Sequence, residues 1–316
     1  MSDTKTVAAL SGMIRPLIEP RLPEWVEPRW FMTAEEAQQV ASEAEIGWFD
    51  MNDKQAMIDT AKAATNLKWM NSIYAGLDFM PLDLLAERGV TVTNGVGINA
   101  LTIAEYTVML MLAHAKGYRE VVRAMDRKEW LTDSPGKREL AGERVLLLGL
   151  GAIGSLVKTR LEAFDMSVMP VRRSGEGDSL KPTEWRGRLG DFDWIVLAVP
   201  STPETVGMIG AAELAAMRPN AVIVNIARGD VIDQGALVDA LKEDRIEAAL
   251  LDVTDPEPLP ADHPLWDLHN AQVTMHLSGR AQTKMFQRSA DRFLENLERY
   301  RTGEPLSPQM DLALGY

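Results

Sequence analysis

The sequence predicts an α/β protein built from two doubly wound parallel sheets. Three observations support this fold class: apolar runs of strand length recur along the chain, amphipathic helical segments separate them, and 316 residues are enough for two domains. Strands that alternate with helices need crossover connections, which produce parallel sheets with helices on both faces.

The alternation is clearest from Arg144 onward. Each run there is about as long as a buried strand and ends in Gly, Pro, Arg or Asp. The predicted strands are Val145–Leu148, Val168–Val171, Trp194–Val199, Ala221–Ile226, Ala248–Val253 and Gln272–Met275. Six strands that alternate with helices in this way are typical of a doubly wound nucleotide-binding domain.

The first part of the chain shows a weaker alternation, and residues 15–30 receive no assignment. The predicted strands are Thr6–Leu10, Glu45–Phe49, Leu67–Ile73 and Val90–Thr93, with helices near Ala34–Ser42, Lys54–Ala64 and Leu82–Arg88. A helix from about Asn99 to Lys116 should link the two units, and an apolar stripe from Phe286 to Leu297 predicts a helix that returns to the first unit. We therefore expect a discontinuous domain of residues 1–98 and 285–316, and a dinucleotide-binding domain of residues 99–284.

Composition and charge exclude several classes of function. Acidic residues outnumber basic ones by 46 to 33, which argues against the basic footprint of a nucleic-acid binder. The chain has no cysteine, so disulfides, thiolate metal sites and cysteine nucleophiles are excluded. The beginning of the chain lacks the pattern of a secretory signal, and the most apolar helical stretch is about half the length of a bilayer span. We expect a cytoplasmic protein without nucleic-acid or membrane partners.

A glycine-rich segment follows the first strand of the second unit. Gly149, Gly151 and Gly154 form the pattern G-x-G-x-x-G between that strand and an amphipathic helix, the setting in which a dinucleotide binds. The first glycine permits a tight turn, the second lets the pyrophosphate approach the backbone, and the third allows close packing of helix and strand. The alternative is a glycine-rich turn without a ligand.

The end of the next strand indicates which dinucleotide is used. NAD-binding proteins of this design place an acidic residue there to bind the ribose 2′-hydroxyl. This chain has Arg172, Arg173 and Ser174 instead, and such groups bind a 2′-phosphate well. We therefore expect a preference for NADP(H), with NAD(H) as a second option. The alternative interpretation is that Arg172 and Arg173 are solvated surface residues without a role in cofactor binding.

Further polar residues follow other predicted strands, at the edge where an open parallel sheet places its binding crevice. An arginine such as Arg228 can grip a substrate carboxylate there through two parallel hydrogen bonds. The alternative for Arg228 is a structural ion pair with Asp230 or Asp233. Asp252 and Glu257 follow the next strand along the chain.

His276 stands at the end of the last predicted strand, unlike the other three of the four histidines. An imidazole can transfer a proton near neutral pH, and a neighbouring carboxylate would fix its tautomer and favour the imidazolium. Glu257 is the candidate carboxylate. A lone histidine is more often structural, so the catalytic interpretation depends on the other elements.

Taken together, these residues resemble the D-isomer-specific 2-hydroxyacid dehydrogenase family, over roughly residues 67–279. The family's glycine fingerprint is matched by Gly149, Gly151 and Gly154. It is followed, in the family's order, by an Asn-x-Ala-Arg-Gly motif at Asn225–Gly229, an Asp-Val…Glu-Pro motif at Asp252–Pro258, and His276. The segment Arg172–Ser174 resembles the NADP-preferring branch, which includes glyoxylate/hydroxypyruvate reductases. One departure is Met275, which stands where the family commonly has proline before its histidine.

The resemblance assigns roles to individual residues. It implies catalytic roles for Arg228, Glu257 and His276, and substrate binding by Ala75, Gly76, Arg228 and His276. It implies cofactor binding by Gly149, Gly151, Ala152, Ile153, Gly154, Arg172, Arg173, Ser174, Val199, Pro200, Thr205, Ile226, Ala227 and Asp252, the last near the nicotinamide. The substrate loop would be Ala75-Gly76-Leu77-Asp78.

The resemblance also implies a Rossmann-type cofactor domain, a smaller flavodoxin-like substrate domain and a homodimer. The implied reaction is the reduction of a small 2-oxo acid, such as glyoxylate or hydroxypyruvate, to a D-2-hydroxy acid by hydride transfer from NAD(P)H. In this reaction His276 donates the proton, Arg228 holds and polarises the substrate, and no metal is required.

Two other functions are compatible with the same fold, because fold does not determine function. One is a nucleotide-sensing protein that controls assembly without turnover. The presence of Arg228, Glu257 and His276 favours chemistry, since a sensor needs only the nucleotide pocket. The other is an enzyme that oxidises a small anion such as formate or phosphite. The segment Arg172–Ser174 does not distinguish such an enzyme from a 2-oxo acid reductase.

Overall fold

The protein is described by a computed structural model that covers residues 5–77, 79–280 and 282–312. The chain divides into two compact units: the first is Met1–Asn99 with Ala281–Tyr316, and the second is Ala100–Arg280. Within the described ranges, no helix is both long and apolar enough to cross a membrane.

The secondary structure alternates strands and helices through most of the chain. The strands are β1 (Thr6–Ser11), β2 (Val26–Phe31), β3 (Ile46–Trp48), β4 (Trp69–Asn71), β5 (Thr91–Thr93), β6 (Arg144–Leu148), β7 (Ser167–Val171), β8 (Trp194–Leu197), β9 (Val222–Asn225), β10 (Ala248–Leu251) and β11 (Ala271–Val273). The α-helices are α1 (Arg15–Ile18), α2 (Ala34–Ala41), α3 (Lys54–Ala63), α4 (Leu82–Glu87), α5 (Ala100–Ala115), α6 (Tyr118–Asp126), α7 (Ala152–Glu162), α8 (Ala211–Ala216), α9 (Gln234–Lys242) and α10 (Gln282–Thr302).

The first unit contains a parallel sheet with the strand order β2-β1-β3-β4-β5. This is the flavodoxin-like order of doubly wound sheets. The apolar stripe of α10 packs on this sheet, because Phe293 is fully buried with its ring 4.9 Å from Trp48 and 5.1 Å from Trp69. Helix α10 therefore belongs to the first unit although it lies near the end of the chain.

Strand β2 lies almost entirely within residues 15–30, for which no element is predicted from the sequence. Its pattern is interrupted by Pro28, which pairs in register with Ala8 of β1. Proline cannot donate a ladder hydrogen bond, so it is normally confined to edge strands. Because β2 is the edge strand of this sheet, the missing donor is tolerated there.

The second unit contains a parallel sheet with the order β11-β10-β9-β8-β6-β7. Alternate strand residues belong to two separate apolar clusters, so both faces of the sheet are covered. One cluster includes Leu146, Leu148, Ile195, Leu197, Ile223, Ala249 and Leu251, and the other includes Val145, Leu147, Trp194, Val196, Val222, Val224, Ala248 and Leu250. The predicted class of two doubly wound α/β units is confirmed.

The predicted strands of the second unit are all present, but several end earlier than the apolar runs do. The residues beyond the strand ends include Val199, Ile226, Val253 and Met275. The run continues past the strand because a loop leaving a parallel sheet can bury apolar side chains too; Val253, for example, is 3% exposed. Between β6 and β8 the strand order reverses, which marks the expected position of a binding crevice.

Candidate active site

The loop between β6 and α7 needs glycine at two positions for geometric reasons. Gly149 has a φ of +103°, and a Cβ there would lie 2.4 Å from the carbonyl oxygen of Ala198. A Cβ on Gly154 would lie 2.1 Å from the oxygen of Gly149, so this glycine lets α7 pack against the loop. A Cβ on Gly151 would meet no atom within 4 Å, which leaves its backbone open to a ligand.

Helix α7 begins at Ala152, directly after its N-cap residue Gly151. Ala152 is exposed, whereas Ile153 is partly buried and packs against the core. The N–H groups of a first helical turn have no partner within the helix, and the helix dipole adds positive potential. The arrangement of strand, glycine turn and helix start therefore fits the pyrophosphate of a dinucleotide.

The end of β7 carries the two arginines in solvent-accessible positions. Nη2 of Arg172 lies 3.3 Å from Oε2 of Glu176, with the side chains 40% and 74% exposed. Arg173 and Ser174 are exposed, and the Ser174 hydroxyl accepts the N–H of Glu176 at 3.4 Å. Sequence reasoning missed Glu176, which stands four residues after Arg172. An exposed ion pair contributes about 0–1 kcal/mol, so a phosphate can compete with Glu176 for Arg172.

The loop after β8 is shaped by the side chain of Thr205. The Thr205 hydroxyl donates to the carbonyl of Pro200 at 2.6 Å and accepts the N–H of Thr202 at 2.8 Å. Val199, which precedes this turn, packs against the core of the second unit. Thr205 therefore holds the loop conformation, a role that the sequence pattern did not reveal.

Asn225, the last residue of β9, builds the loop that presents Arg228. Its Oδ1 accepts the N–H of Ala227 at 3.0 Å, and its Nδ2 donates to the carbonyl of Arg228 at 2.9 Å. Ile226 and Ala227 are each 5% exposed, with the backbone included. Both residues belong to the apolar clusters of the second unit, so they anchor the loop in the core.

The Arg228 guanidinium has no acidic partner within the described residues. Its Nη1 donates to the carbonyl of Ala227 at 2.9 Å, and the side chain is half-buried. Asp230 accepts the Ser201 hydroxyl at 2.6 Å, and Asp233 accepts the N–H of Ala236 at 3.0 Å at the start of α9. The structural ion pair offered as the alternative for Arg228 is thus absent, and most of its donors are available to an anion.

His276 and Glu257 are in contact. Nδ1 of His276 lies 2.9 Å from Oε2 of Glu257, and Oε1 of Glu257 accepts the N–H of Thr254 at 3.1 Å. A carboxylate acceptor places the hydrogen of the ring on Nδ1. Nε2 has no hydrogen-bond partner in the described part of the chain, and the histidine side chain is 50% exposed. It is therefore free to exchange a proton with a substrate.

The loops that carry Arg228 and Glu257 touch each other at Gly229. A Cβ on Gly229 would lie 2.0 Å from the carbonyl carbon of Thr254, so any larger residue would force the loops apart. The close approach of the two loops therefore requires glycine at position 229, which the sequence motif contains without showing the reason. The close approach depends on the paths of two loops, which the sequence does not show.

Asp252 holds the histidine loop rather than standing free. Its buried carboxylate, on a residue 2% exposed, accepts the Thr274 hydroxyl at 2.8 Å and the N–H groups of Leu277 at 3.0 Å and Ser278 at 3.2 Å. The backbone carbonyl of Asp252 accepts the N–H of His276 at 2.5 Å. The carboxylate therefore fixes the histidine loop, and its position near the nicotinamide stays a prediction.

The backbone before and at the histidine is left-handed. Met275 has a φ of +57° and His276 a φ of +55°, values that non-glycine residues rarely adopt. Proline, fixed near −65°, cannot take the conformation of Met275. A proline at position 275 would therefore require a backbone conformation other than the one that Met275 has here.

The loop after β4 in the first unit exposes two successive backbone N–H groups. Ala75 and Gly76 donate no hydrogen bond to any residue of the described chain. The loop is held from its carbonyl side, where Asn94 Nδ2 donates to Ala75 at 2.8 Å and the N–H of Gly95 donates to Tyr74 at 2.8 Å. Free neighbouring N–H groups can bind an anion. Asp78, the last residue of the predicted substrate loop, lies outside the described residues.

The fold and the grouped side chains define a dinucleotide-dependent oxidoreductase. The family model described as D-isomer specific 2-hydroxyacid dehydrogenase, NAD binding domain, matches residues 108–278. This segment includes the glycine loop, Arg228, Glu257 and His276. The chain belongs to the D-isomer specific 2-hydroxyacid dehydrogenase family, as the sequence motifs predicted.

Two relatives show how far the sequence similarity extends. The chain is 32% identical over 276 residues to the glyoxylate reductase of Thermofilum pendens, covering 81% of this chain and 80% of that protein. It is 34% identical over 259 residues to the D-3-phosphoglycerate dehydrogenase of Methanocaldococcus jannaschii, covering 78% of this chain and 48% of that protein. The chain thus spans about half the length of that phosphoglycerate dehydrogenase.

Solved structures of the family are similar along the whole chain. A D-isomer specific 2-hydroxyacid dehydrogenase family protein from Aeromonas salmonicida has a TM-score of 0.87 at 27% identity, covering 98% of this chain and 99% of that one. An NADPH-dependent glyoxylate/hydroxypyruvate reductase from Sinorhizobium meliloti, solved with NADP and malonate, has a TM-score of 0.78 at 25% identity, covering 98% of each chain.

Proposed function

We propose that this protein reduces a small 2-oxo acid of the glyoxylate or hydroxypyruvate type to a D-2-hydroxy acid, with NADPH as the preferred hydride donor. The observation that carries the proposal is the contact between His276 and Glu257, at 2.9 Å, which leaves Nε2 of the histidine free. Arg228, in the same unit, offers a guanidinium without an acidic partner among the described residues. Together these groups supply a proton donor and an anchor for a carboxylate.

The residues that would hold the cofactor form three groups. Gly149, Gly151, Ala152, Ile153 and Gly154 would bind the pyrophosphate, and Arg172, Arg173 and Ser174 would bind the 2′-phosphate. The rest of the cofactor would lie against the loops that contain the other predicted residues, which are Val199, Pro200, Thr205, Ile226, Ala227 and Asp252. When bound, the cofactor supplies the hydride for the carbonyl carbon.

The proton would come from Nε2 of His276. Glu257 accepts the hydrogen bond of Nδ1, so it orients the ring and stabilises the positive charge of the imidazolium. As the carbonyl oxygen gains negative charge, the imidazolium donates its Nε2 proton to it. In the reverse reaction, the neutral imidazole would accept the proton of the hydroxyl group.

The substrate would be held through its carboxylate. The planar guanidinium of Arg228 can form two parallel hydrogen bonds with a carboxylate, and it also polarises the adjacent carbonyl. From the family resemblance we also assign the N–H groups of Ala75 and Gly76 to the substrate carboxylate. The positive charge of Arg228, together with the N–H donors, favours an anionic 2-oxo acid over a neutral ketone.

Initial rates with a panel of substrates test the proposal. Glyoxylate, hydroxypyruvate, pyruvate, an aryl-pyruvate and 3-phosphohydroxypyruvate would each be assayed with NADPH and with NADH. We expect the highest kcat/KM for glyoxylate or hydroxypyruvate with NADPH. Absence of cofactor oxidation with every acid, together with nucleotide-dependent oligomer size, would instead support a sensing protein.

The substitution Arg172→Asp tests the cofactor preference. Loss of a charge-assisted contact with the 2′-phosphate should lower kcat/KM for NADPH by about tenfold or more, with a much smaller effect on NADH. Arg245→Asp is the matched control, because Arg245 is another exposed arginine paired with a glutamate, Glu243, and it precedes β10, which β9, β8 and β6 separate from β7 in the sheet. Equal efficiencies of NADPH and NADH in the unmodified enzyme would contradict the preference.

We also propose that the protein is a cytoplasmic homodimer. Several large apolar side chains on α5, α6 and the following segment are exposed: Met109, Tyr118, Val122, Met125 and Trp130, the last 91% exposed. Val121, Met125 and Trp130 also line a groove of about 500 Å³. Tyr118, Val122 and Met125 are spaced so that they share one face of α6, and exposed apolar surface of this kind is typical of an interface between subunits.

The mass in solution tests the dimer. Light scattering should give twice the chain mass of 35.0 kDa. The double substitution Met125→Asp and Trp130→Asp should shift the mass towards one chain, because it would bury two charges in the interface. Met32→Asp, at a methionine 74% exposed in the first unit, is the control and should leave the dimer intact. A monomeric unmodified protein would refute this part of the proposal.

A further inference from the structure

Asp50 is a buried aspartate in the first unit, close in the fold to the loop that carries the N–H groups of Ala75 and Gly76. It lies just after β3 and is 8% exposed. Oδ2 accepts the indole N–H of Trp48 at 2.6 Å and the backbone N–H of Ile73 at 2.6 Å. Oδ1 accepts the hydroxyl of Ser72 at 2.7 Å. Two of these three donors belong to the segment that leads directly into Tyr74, Ala75 and Gly76.

Ser72 transmits the position of the carboxylate to the next residue. Its hydroxyl donates to Asp50, and its oxygen accepts the backbone N–H of Tyr74 at 3.1 Å. A hydroxyl has one hydrogen and two lone pairs. Because the hydrogen points to Asp50, a lone pair is directed at Tyr74, and the start of the loop is fixed by a continuous chain of hydrogen bonds.

The opposite side of the loop is closed by the segment after β5. The amide of Asn94 and the N–H of Gly95 bind the carbonyls of Ala75 and Tyr74. A Cβ on Gly95 would lie 1.9 Å from the oxygen of Ile73, so the two segments are in direct contact. With the carbonyls held on one side, the N–H groups of Ala75 and Gly76 are left for a ligand.

We propose that Asp50 is a positioning residue that, through Ser72 and Ile73, holds the backbone N–H groups of Ala75 and Gly76 in the geometry that binds the substrate carboxylate. This inference rests on the proposed function, because it concerns the same substrate. Asp50 does not touch the substrate. Its contribution is to restrict the loop before binding, so that less ordering is needed when the carboxylate arrives.

An ionised aspartate is suited to this task because it only accepts hydrogen bonds, and all three partners are donors. Burial raises the pKa of the Asp50 carboxyl to about 6, while the hydrogen bonds from Ser72, Ile73 and Trp48 act against this rise. The carboxylate is therefore the main form at neutral pH. In Asp50→Asn, the amide N–H groups would face either the two N–H donors or the Ser72 hydroxyl, which would then have to turn its hydrogen away, so the hydrogen-bond chain to the loop would change.

The test compares Asp50→Asn and Ser72→Ala with a matched control. Asp193→Asn changes another buried aspartate, 9% exposed, which accepts the N–H of Arg144 at 2.9 Å at the amino end of β6, away from the candidate site. Steady-state kinetics with glyoxylate and NADPH, oxamate inhibition and NADPH binding would be measured for each variant. Ser72→Ala removes one hydroxyl, so it provides a second probe if Asp50→Asn does not fold.

Both site variants should raise the KM for glyoxylate and the inhibition constant of oxamate by about tenfold, with kcat changed less than about threefold. NADPH binding should be unchanged, and Asp193→Asn should leave KM and oxamate inhibition as they are. The inference is overturned if KM and oxamate inhibition do not change in the site variants, or if Asp193→Asn changes them equally. An unmodified enzyme that reduces no 2-oxo acid would overturn the proposed function itself, and this inference with it.

Discussion

His276→Ala is expected to lower kcat by about two to four powers of ten, the range over which a positioned general acid contributes. The substitution removes the Nε2 proton donor and leaves the glycine loop and the arginines of the cofactor site unchanged. NADPH should therefore bind with nearly its normal affinity. Single-turnover measurements of NADPH oxidation, alongside NADPH titrations, would separate the loss of chemistry from a loss of binding.

Two further variants sharpen this prediction. Glu257→Gln should have a smaller effect than His276→Ala, because the amide can keep a hydrogen bond to the ring but no longer stabilises its positive charge. His269→Ala is the matched control: its side chain is 81% exposed, and it should retain full activity. A fully active His276→Ala enzyme would refute the catalytic role and revive the sensing alternative.

Arg228→Lys is expected to lower kcat/KM by about 10- to 100-fold, which corresponds to the loss of a charge-assisted hydrogen bond worth about 1.5–3 kcal/mol. Lysine keeps the charge but loses the planar fork that grips a carboxylate with two bonds. NADPH binding should persist. Steady-state kinetics with glyoxylate and hydroxypyruvate would measure the effect.

A variant matched in chemistry shows whether the loss is specific to the site. Arg218→Lys changes an arginine that does pair with an acid, Asp193, at 2.9 Å in the same unit. It should affect thermal stability more than turnover. Normal efficiency of Arg228→Lys would place the carboxylate anchor elsewhere, and unfolding of that variant would indicate a structural role.

The fold was largely predictable because parallel strands buried on both faces produce continuous apolar runs. The runs around β6, β8, β9 and β10 are of this kind. Strand β2 escaped prediction, since Pro28 interrupts it and only its position at the sheet edge makes that proline acceptable. Edge position is a property of the assembled sheet and leaves no local sequence signal.

The site was predictable where one residue type at a strand end indicates one chemistry. The contact of His276 with Glu257 is such a case, since the pairing of an imidazole with a carboxylate follows from their chemistry and motif. The hydrogen bonds of the Asp50 and Asp252 carboxylates were not predictable. Each carboxylate accepts hydrogen bonds from backbone N–H groups of another loop, and only the folded chain brings those donors close to it.

The most direct test of the central claim is the fate of the hydride. Hydroxypyruvate would be reduced with NADPH that carries deuterium at both C4 positions of the nicotinamide, and the glycerate formed would be examined by NMR and by chiral chromatography. The proposed reaction predicts D-glycerate with one deuterium at C2, formed by the unmodified enzyme and lost in His276→Ala. Formation of L-glycerate, or of no deuterated product, would contradict it.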